Sequence, residues 1–376
     1  MSKLLFITLN DHVPWGGSEE LWSRTALTLV KDNYVTIVKK QWEKEQDCIT
    51  EIIKLGGKLI YKPKPKKTVF YKLKSKLTNV TFNKNDLNFV TDISTYDLAI
   101  LSAGNHVNHK IVEYTSFLKQ HGVEYVIAVQ LATSLRNLHD NQIEKLKTAY
   151  NNAIGIGCLS SKNQDVLETQ LGLSLDNVFR INNPFNYKQT YLYPKVNEVF
   201  HVACVAAYTM FHKGQEMLLK VLSQDKWKER NICFNLYGKG VNENHFKSLI
   251  KLYGLEHLVK LKGHIGNKEE IWSVNHACIL PSRMEGQSLA MLEAMSFGRM
   301  VISTAVGGAD ELIEHGKTGF LAKAPTIALL DDALEQAWEK RDCWLDMGKA
   351  SRDKLFEVIT EDPVEKFKKE IKKILQ

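Results

Sequence analysis

Apolar and polar positions fall into repeating blocks along the chain. Leu4–Leu9 is a short apolar run closed by Asn10, Asp11, Pro14, Gly16 and Gly17. Across 19–31 the apolar residues Leu21, Trp22, Ala26, Leu29 and Val30 recur at helical spacing, and 34–38 is apolar again. Strand, loop, helix and strand in that order open a parallel, doubly wound sheet. Further buried strands are predicted over 97–102, 125–130, 153–160 and 178–181, with a helix over 108–121. Asn182-Asn183-Pro184 then halts the pattern, and 191–197, which contains Pro194, reads as a linker.

A second series begins at Phe200. Strands are predicted over 200–206, 232–237, 257–261, 277–280 and 300–303, with helices over 214–222 and 289–295. The spacing therefore predicts an α/β chain of two Rossmann-like, doubly wound domains, 1–190 and 197–355. A basic amphipathic helix within 356–376 is expected to cross back onto the first domain. Ligands of such sheets bind at the strand carboxyl ends, so the cleft between the domains is the expected site.

Composition changes this picture little. A length of 376 residues suits two ordinary cores, and 44% apolar with 25% charged residues is a soluble, globular balance. The net charge of +7 permits contact with phosphates or anionic lipid, and no nucleic-acid partner is expected. The six cysteines form no CxxC clamp, and Cys158, Cys204, Cys233 and Cys278 fall in strand-like runs, which points to buried, reduced thiols. The apolar run after the N-terminus is too short for a signal peptide, and no run reaches the ~20 residues of a transmembrane helix. A cytoplasmic chain is the expectation, with any membrane contact only at a surface, as a peripheral protein on the inner face.

The strongest chemical signal is PSRMEGQSLAMLEAMSFGRMVISTAVGG, residues 281–308. Glu285 and Gly286 precede a helix, so the N–H groups of Gln287, Ser288 and Leu289 are expected to be free at its start, where the helix dipole favours a phosphate. Glu293, further down that helix, can accept two hydrogen bonds from a ribose diol, and Glu285 can grip hexose hydroxyls. A solvated helix with a capping glutamate is the plain alternative. A second signal is His212-Lys213-Gly214 after a strand, where Lys213 can neutralise a diphosphate leaving group. Gly16-Gly17 closes the first strand–helix loop and lets backbone approach a ligand, although for the glycines alone a plain tight turn is the favoured reading. Gly238-Lys239-Gly240 and Gly263-His264-Ile265 also follow strands.

EGQSLAMLE, with AMSFGRMVIST and VGGADELIEHGKTGFL after it, resembles the family-4 retaining glycosyltransferases of GT-B fold (group 1 glycosyltransferases). The resemblance covers roughly residues 200–350 and weakens over the first half. It implies that Glu285 contacts the donor sugar, Glu293 the ribose, and the amides of 287–289 the pyrophosphate. It implies that Lys213 binds phosphate, that Gly16 and Gly17 touch the donor, and that backbone near Ile265 faces the nucleotide base. Two departures stand out: Tyr208 occupies the place of a common Arg, and Gln130 ends the strand after which many members carry a His. Arg283 is one candidate to replace the missing cation. His12, His106 and His139 read as surface histidines.

The activity so implied is transfer of a hexose-type sugar from a nucleotide-sugar, a UDP-sugar ahead of a GDP-sugar, to a glycan or lipid-linked acceptor in cell-envelope or polysaccharide biosynthesis. No cofactor is expected, and the lack of any DxD motif suggests that no metal is needed. A donor-binding partner subunit without activity, or an epimerase or phosphorylase on the same architecture, remain the alternatives. Finally, 58–84 holds nine lysines and no acid, interleaved with Val69, Phe70, Tyr71, Leu73 and Leu77. Such a segment suits either an anionic membrane surface, at about 1 kcal/mol per lysine, or a solvated loop.

Overall fold

The computed structural model describes residues 1–63, 87–185, 193–195 and 198–376. The chain builds two all-parallel sheets. The first has seven strands: β1 (Lys3–Thr8), β2 (Tyr34–Lys39), β3 (Lys58–Tyr61), β4 (Leu98–Ala103), β5 (Glu124–Val129), β6 (Gly155–Cys158) and β7 (Val178–Arg180), in the order β3-β2-β1-β4-β5-β6-β7. The second has six: β8 (Phe200–Val205), β9 (Ile232–Tyr237), β10 (Val259–Gly263), β11 (Ala277–Leu280), β12 (Met300–Thr304) and β13 (Gly319–Ala322), in the order β10-β9-β8-β11-β12-β13. Strands with helices on both faces are buried on both sides, which is why β4 and β11 read as unbroken apolar runs.

In each sheet the strand order reverses beside the first strand, between β1 and β4 and between β8 and β11. Loops leaving the carboxyl ends diverge there and open a crevice. Each sheet carries its own apolar core on each face.

The last helix, Pro363–Ile374, is started by Asp362, whose carboxylate accepts from the Val364 and Glu365 amides, with Pro363 in the first turn. It buries Phe367 and Ile371 against the first sheet's core, and the Phe367 ring lies 6.2 Å from that of Phe179. The crossing starts later than residue 356. The helix Trp344–Val358 still belongs to the second sheet, where Leu355 is in the core and Phe356 packs against Phe185.

The lysine-rich stretch is corrected at its start. Lys58 opens edge strand β3, and Lys62 is buried, its Nζ donating to the Thr8 carbonyl at 2.7 Å and pairing with Asp11 at 3.0 Å. A lysine held by a carboxylate under the sheet edge cannot face lipid. The remainder of the stretch, from Lys64 to Lys84, lies outside the described residues. Among the described residues no helix is long and apolar enough to cross a membrane, and no cysteine is paired.

Candidate active site

The crevices of the two sheets face each other and form one cleft of about 680 Å³. Gly16, Gly17, Lys213, Ile265, Glu285, Gly286, Gln287, Ser288, Leu289 and Glu293, the residues singled out in the sequence, all line it.

Backbone geometry explains how these groups converge. After β8 a single helical turn, Met210–Lys213, ends at Gly214, which has φ +64°. A Cβ at Gly214 would sit 1.9 Å from the Pro281 carbonyl oxygen, so only glycine lets the Lys213 turn pack onto the loop after β11. Gly286 is a second such point, since a Cβ there would lie 1.9 Å from the carbonyl oxygen of Gln130 at the end of β5. Absence of side chains thus brings the Glu285 loop against the first half of the molecule.

Lys213 Nζ donates to Glu285 Oε1 at 2.7 Å, and Ser282 Oγ donates to the same oxygen at 2.8 Å. The helix Leu289–Ser296 follows, capped by Ser288, whose Oγ accepts from the Met291 amide. Among the described residues the amides of Gln287, Ser288 and Leu289 donate to no protein acceptor. Three open donors at a helix start, next to an ammonium, form an anion site. Glu293 lines the same cleft, and its Oε1 lies 3.1 Å from Lys268 Nζ. Burial pushes the Glu293 carboxyl above its ordinary value, and Lys268 pulls it back. His212 also lines the cleft, and burial, then the Lys213 charge, lowers its pKa.

The first half supplies the opposite wall. Glu19, buried beneath the Gly16-Gly17 turn, accepts from Thr8 Oγ1, Asn10 Nδ2 and Ser18 Oγ, which fixes that turn. Burial raises its pKa despite those donors. Gly17 faces Leu289 across the cleft, with 3.1 Å between a hypothetical Cβ and the leucine Cδ1. Asn183 donates from its backbone to Gln287 Oε1 and from Nδ2 to the Gln287 carbonyl, both at 2.7 Å.

Several sequence expectations change. Tyr208 is wholly buried, its hydroxyl donating to the Leu236 carbonyl at 2.7 Å, so this position delivers packing and no cation. Arg283 does not replace it, being held by Glu216 and the Phe211 carbonyl away from the cleft lining. His106 is not a surface residue. It is fully buried and pairs with Gln170, because the Asn105–Asn108 turn folds it under Leu131. His12 and His139 are exposed. Lys268 carries no signal in the sequence, since its partner Glu293 meets it only through the fold, and neither does Asn183 as a clamp on Gln287. Gln130, a departure from the resembled pattern, is 6% exposed and lines the cleft, and neither polar atom of its side chain finds a partner among the described residues.

Comparison with known proteins finds chains similar to this one. Residues 199–340 match the family described as Glycosyl transferases group 1. N-acetyl-alpha-D-glucosaminyl L-malate synthase of Bacillus anthracis is 30% identical over 122 residues, 32% of this chain and 32% of its own. Poly(ribitol-phosphate) alpha-N-acetylglucosaminyltransferase of Staphylococcus aureus is 25% identical over 207 residues, 54% of this chain and 42% of its own. The chain thus matches less than half the length of these relatives. Among solved structures, Anabaena HepE in complex with UDP and glucose superimposes with a TM-score of 0.74 at 18% identity, covering 99% of this chain and 100% of that one. The whole chain therefore has the GT-B fold, and residues 199–340 within it match the family described as Glycosyl transferases group 1.

Proposed function

We propose that the protein is a retaining glycosyltransferase that moves a hexose-type sugar from a UDP-sugar to a glycan or lipid-linked acceptor of the cell envelope. One observation carries the reading: three amides without an acceptor among the described residues, Lys213, Glu285 and Glu293 line a single cleft. The names of two relatives specify N-acetylglucosaminyl transfer, and a neighbour of the same fold holds UDP and glucose, which supports a uridine donor.

The diphosphate docks on the 287–289 amides. Lys213 then leaves Glu285 for the phosphate, which frees the Glu285 carboxylate to accept the sugar hydroxyls. Glu293 takes the ribose diol, and backbone at Ile265 faces the base. As the bond from the anomeric carbon to the phosphate oxygen breaks, Lys213 and the helix start balance the charge left on the diphosphate. The acceptor hydroxyl attacks from the same face and passes its proton to the departing phosphate oxygen. Positioning and charge balance carry this step, and the Lys213 cation stands where other sites use a metal.

Tyr208 favours a second reading, a donor-binding subunit without activity, since its position supplies no cation. Thermal-shift and donor-hydrolysis assays test both. UDP at about 100 times its Kd is expected to add about 2.7 kcal/mol of stability. Lys213→Met is expected to lower kcat by about 100- to 1,000-fold. Stabilisation without turnover points to the subunit, and no stabilisation by any nucleoside diphosphate defeats both readings.

A further inference from the structure

We propose that Lys268 is a positioning residue of the donor site, holding the Glu293 carboxylate ionised and aimed for the ribose. This rests on the reading of Glu293 as the ribose clamp.

The two residues come from different elements. Lys268 opens the short helix Lys268–Trp272, which follows the Ile265 loop and is capped by Asn267, while Glu293 sits on the helix Leu289–Ser296. Their charged atoms meet at 3.1 Å, with the glutamate side chain 17% exposed and the lysine 41%. The carboxylate is therefore deep and the ammonium shallow, as in a cation laid over a buried anion from the solvent side. Both line the donor cleft.

A carboxylate at that depth has lost most of its hydration and favours the protonated form. Protonated, it surrenders one of its acceptor oxygens to a proton and makes weaker bonds to two hydroxyl donors than the ion does. Besides Lys268, the groups facing Glu293 are Glu20 and Arg24, on the helix Gly17–Leu29 of the first half, and Cys278 on β11. Glu20 and Arg24 pair with each other at 2.8 Å, so their effects on Glu293 oppose. The Cys278 thiol is pushed well up by burial and stays neutral. Among these described groups Lys268 is thus the cation that sets the ionisation of Glu293. Lys213 differs in role: it must leave its glutamate for the phosphate, whereas Lys268 must stay.

Calorimetric titration of the full chain with UDP, and with the 2′,3′-dideoxy analogue of UDP, between about pH 5.5 and 8.5 tests this. Wild type sets the reference profile, which includes the titration of the terminal phosphate of UDP itself. Lys268→Met is expected to match it near pH 8.5 and to bind progressively more weakly as pH falls, by about threefold or more at the acid end, as the carboxyl titration moves upward. Lys268→Arg restores the wild-type profile. Lys268→Met adds no loss in a Glu293→Gln background or toward the dideoxy analogue. A Lys268→Met loss that is equal at every pH and persists in the Glu293→Gln background would show direct contact with the nucleotide, overturning the proposal. So would a variant indistinguishable from wild type throughout. Glu293→Gln binding UDP as tightly as wild type overturns the ribose clamp itself, and the role of Lys268 with it.

Discussion

Glu293 shows how a single residue can serve binding at the expense of folding. Its carboxyl titrates above its ordinary value because the fold buries it. The unfolded chain titrates near pH 4.3, so between that value and the raised one the folded state holds the extra proton. Stability therefore falls as pH rises through that window and stays lowered above it. Glu293→Gln is expected to raise Tm at pH 7, with the gain vanishing near pH 4, while UDP affinity drops. A lower Tm for the variant at pH 7 would contradict the burial argument. The two cleft glutamates were legible in the sequence because one continuous stretch holds both, together with the helix that orients them. Lys268 was not, since its significance comes from a contact made across the fold. Tyr208 was legible only as an absence, and its burial and its bond to Leu236 belong to the tertiary structure.

Among the elements, parallel strands were readable wherever both faces are buried, and β9 and β11 run over the same residues as predicted. Two strands escaped notice for physical reasons. β3 is a four-residue edge strand with half-exposed side chains, hidden in a lysine-rich run, and β13 is four residues long and begins with a glycine. The final helix was readable from its apolar stripe, and its return to the first domain was expected, but the residues that receive it were not legible. Phe367 is fully buried in the core of the first half although the chain reaches it from the second. Phe367→Ala is expected to cost about 3–5 kcal/mol, and calorimetry should show that loss in the unfolding of the first half. The nucleotide-binding half should keep its affinity for UDP, measured by titration. An unchanged Tm would mean that the helix merely rests on the sheet.

Across the whole molecule, the site exists only because two sheets meet at a few points. Gly286 against Gln130, Gly17 against Leu289 and Asn183 against Gln287 join the walls of the cleft. Lys162 adds a tie outside it, pairing with Asp310 and donating to the Ala305 carbonyl at 2.8 Å. Gly286→Ala places a methyl group where the Gln130 carbonyl now stands, while neither sheet's core includes this residue. The variant is expected to fold with a wild-type circular-dichroism spectrum and to lose transfer by more than about tenfold, since misplacement by about 1 Å costs catalysis heavily. Full activity would show that transfer does not need this approach of the two halves.

The chain passes between the halves twice, outward after β7 and back after Val358, and the rings of Phe185, which follows β7, and Phe356, which precedes the return, lie 6.1 Å apart. Rings packed at that place act like the pin of a door, permitting swinging about one line and resisting sliding. Any opening that admits a nucleotide would then lift the Gly16-Gly17 turn away from Leu289 along an arc, and the return swing would bring the same atoms back into register.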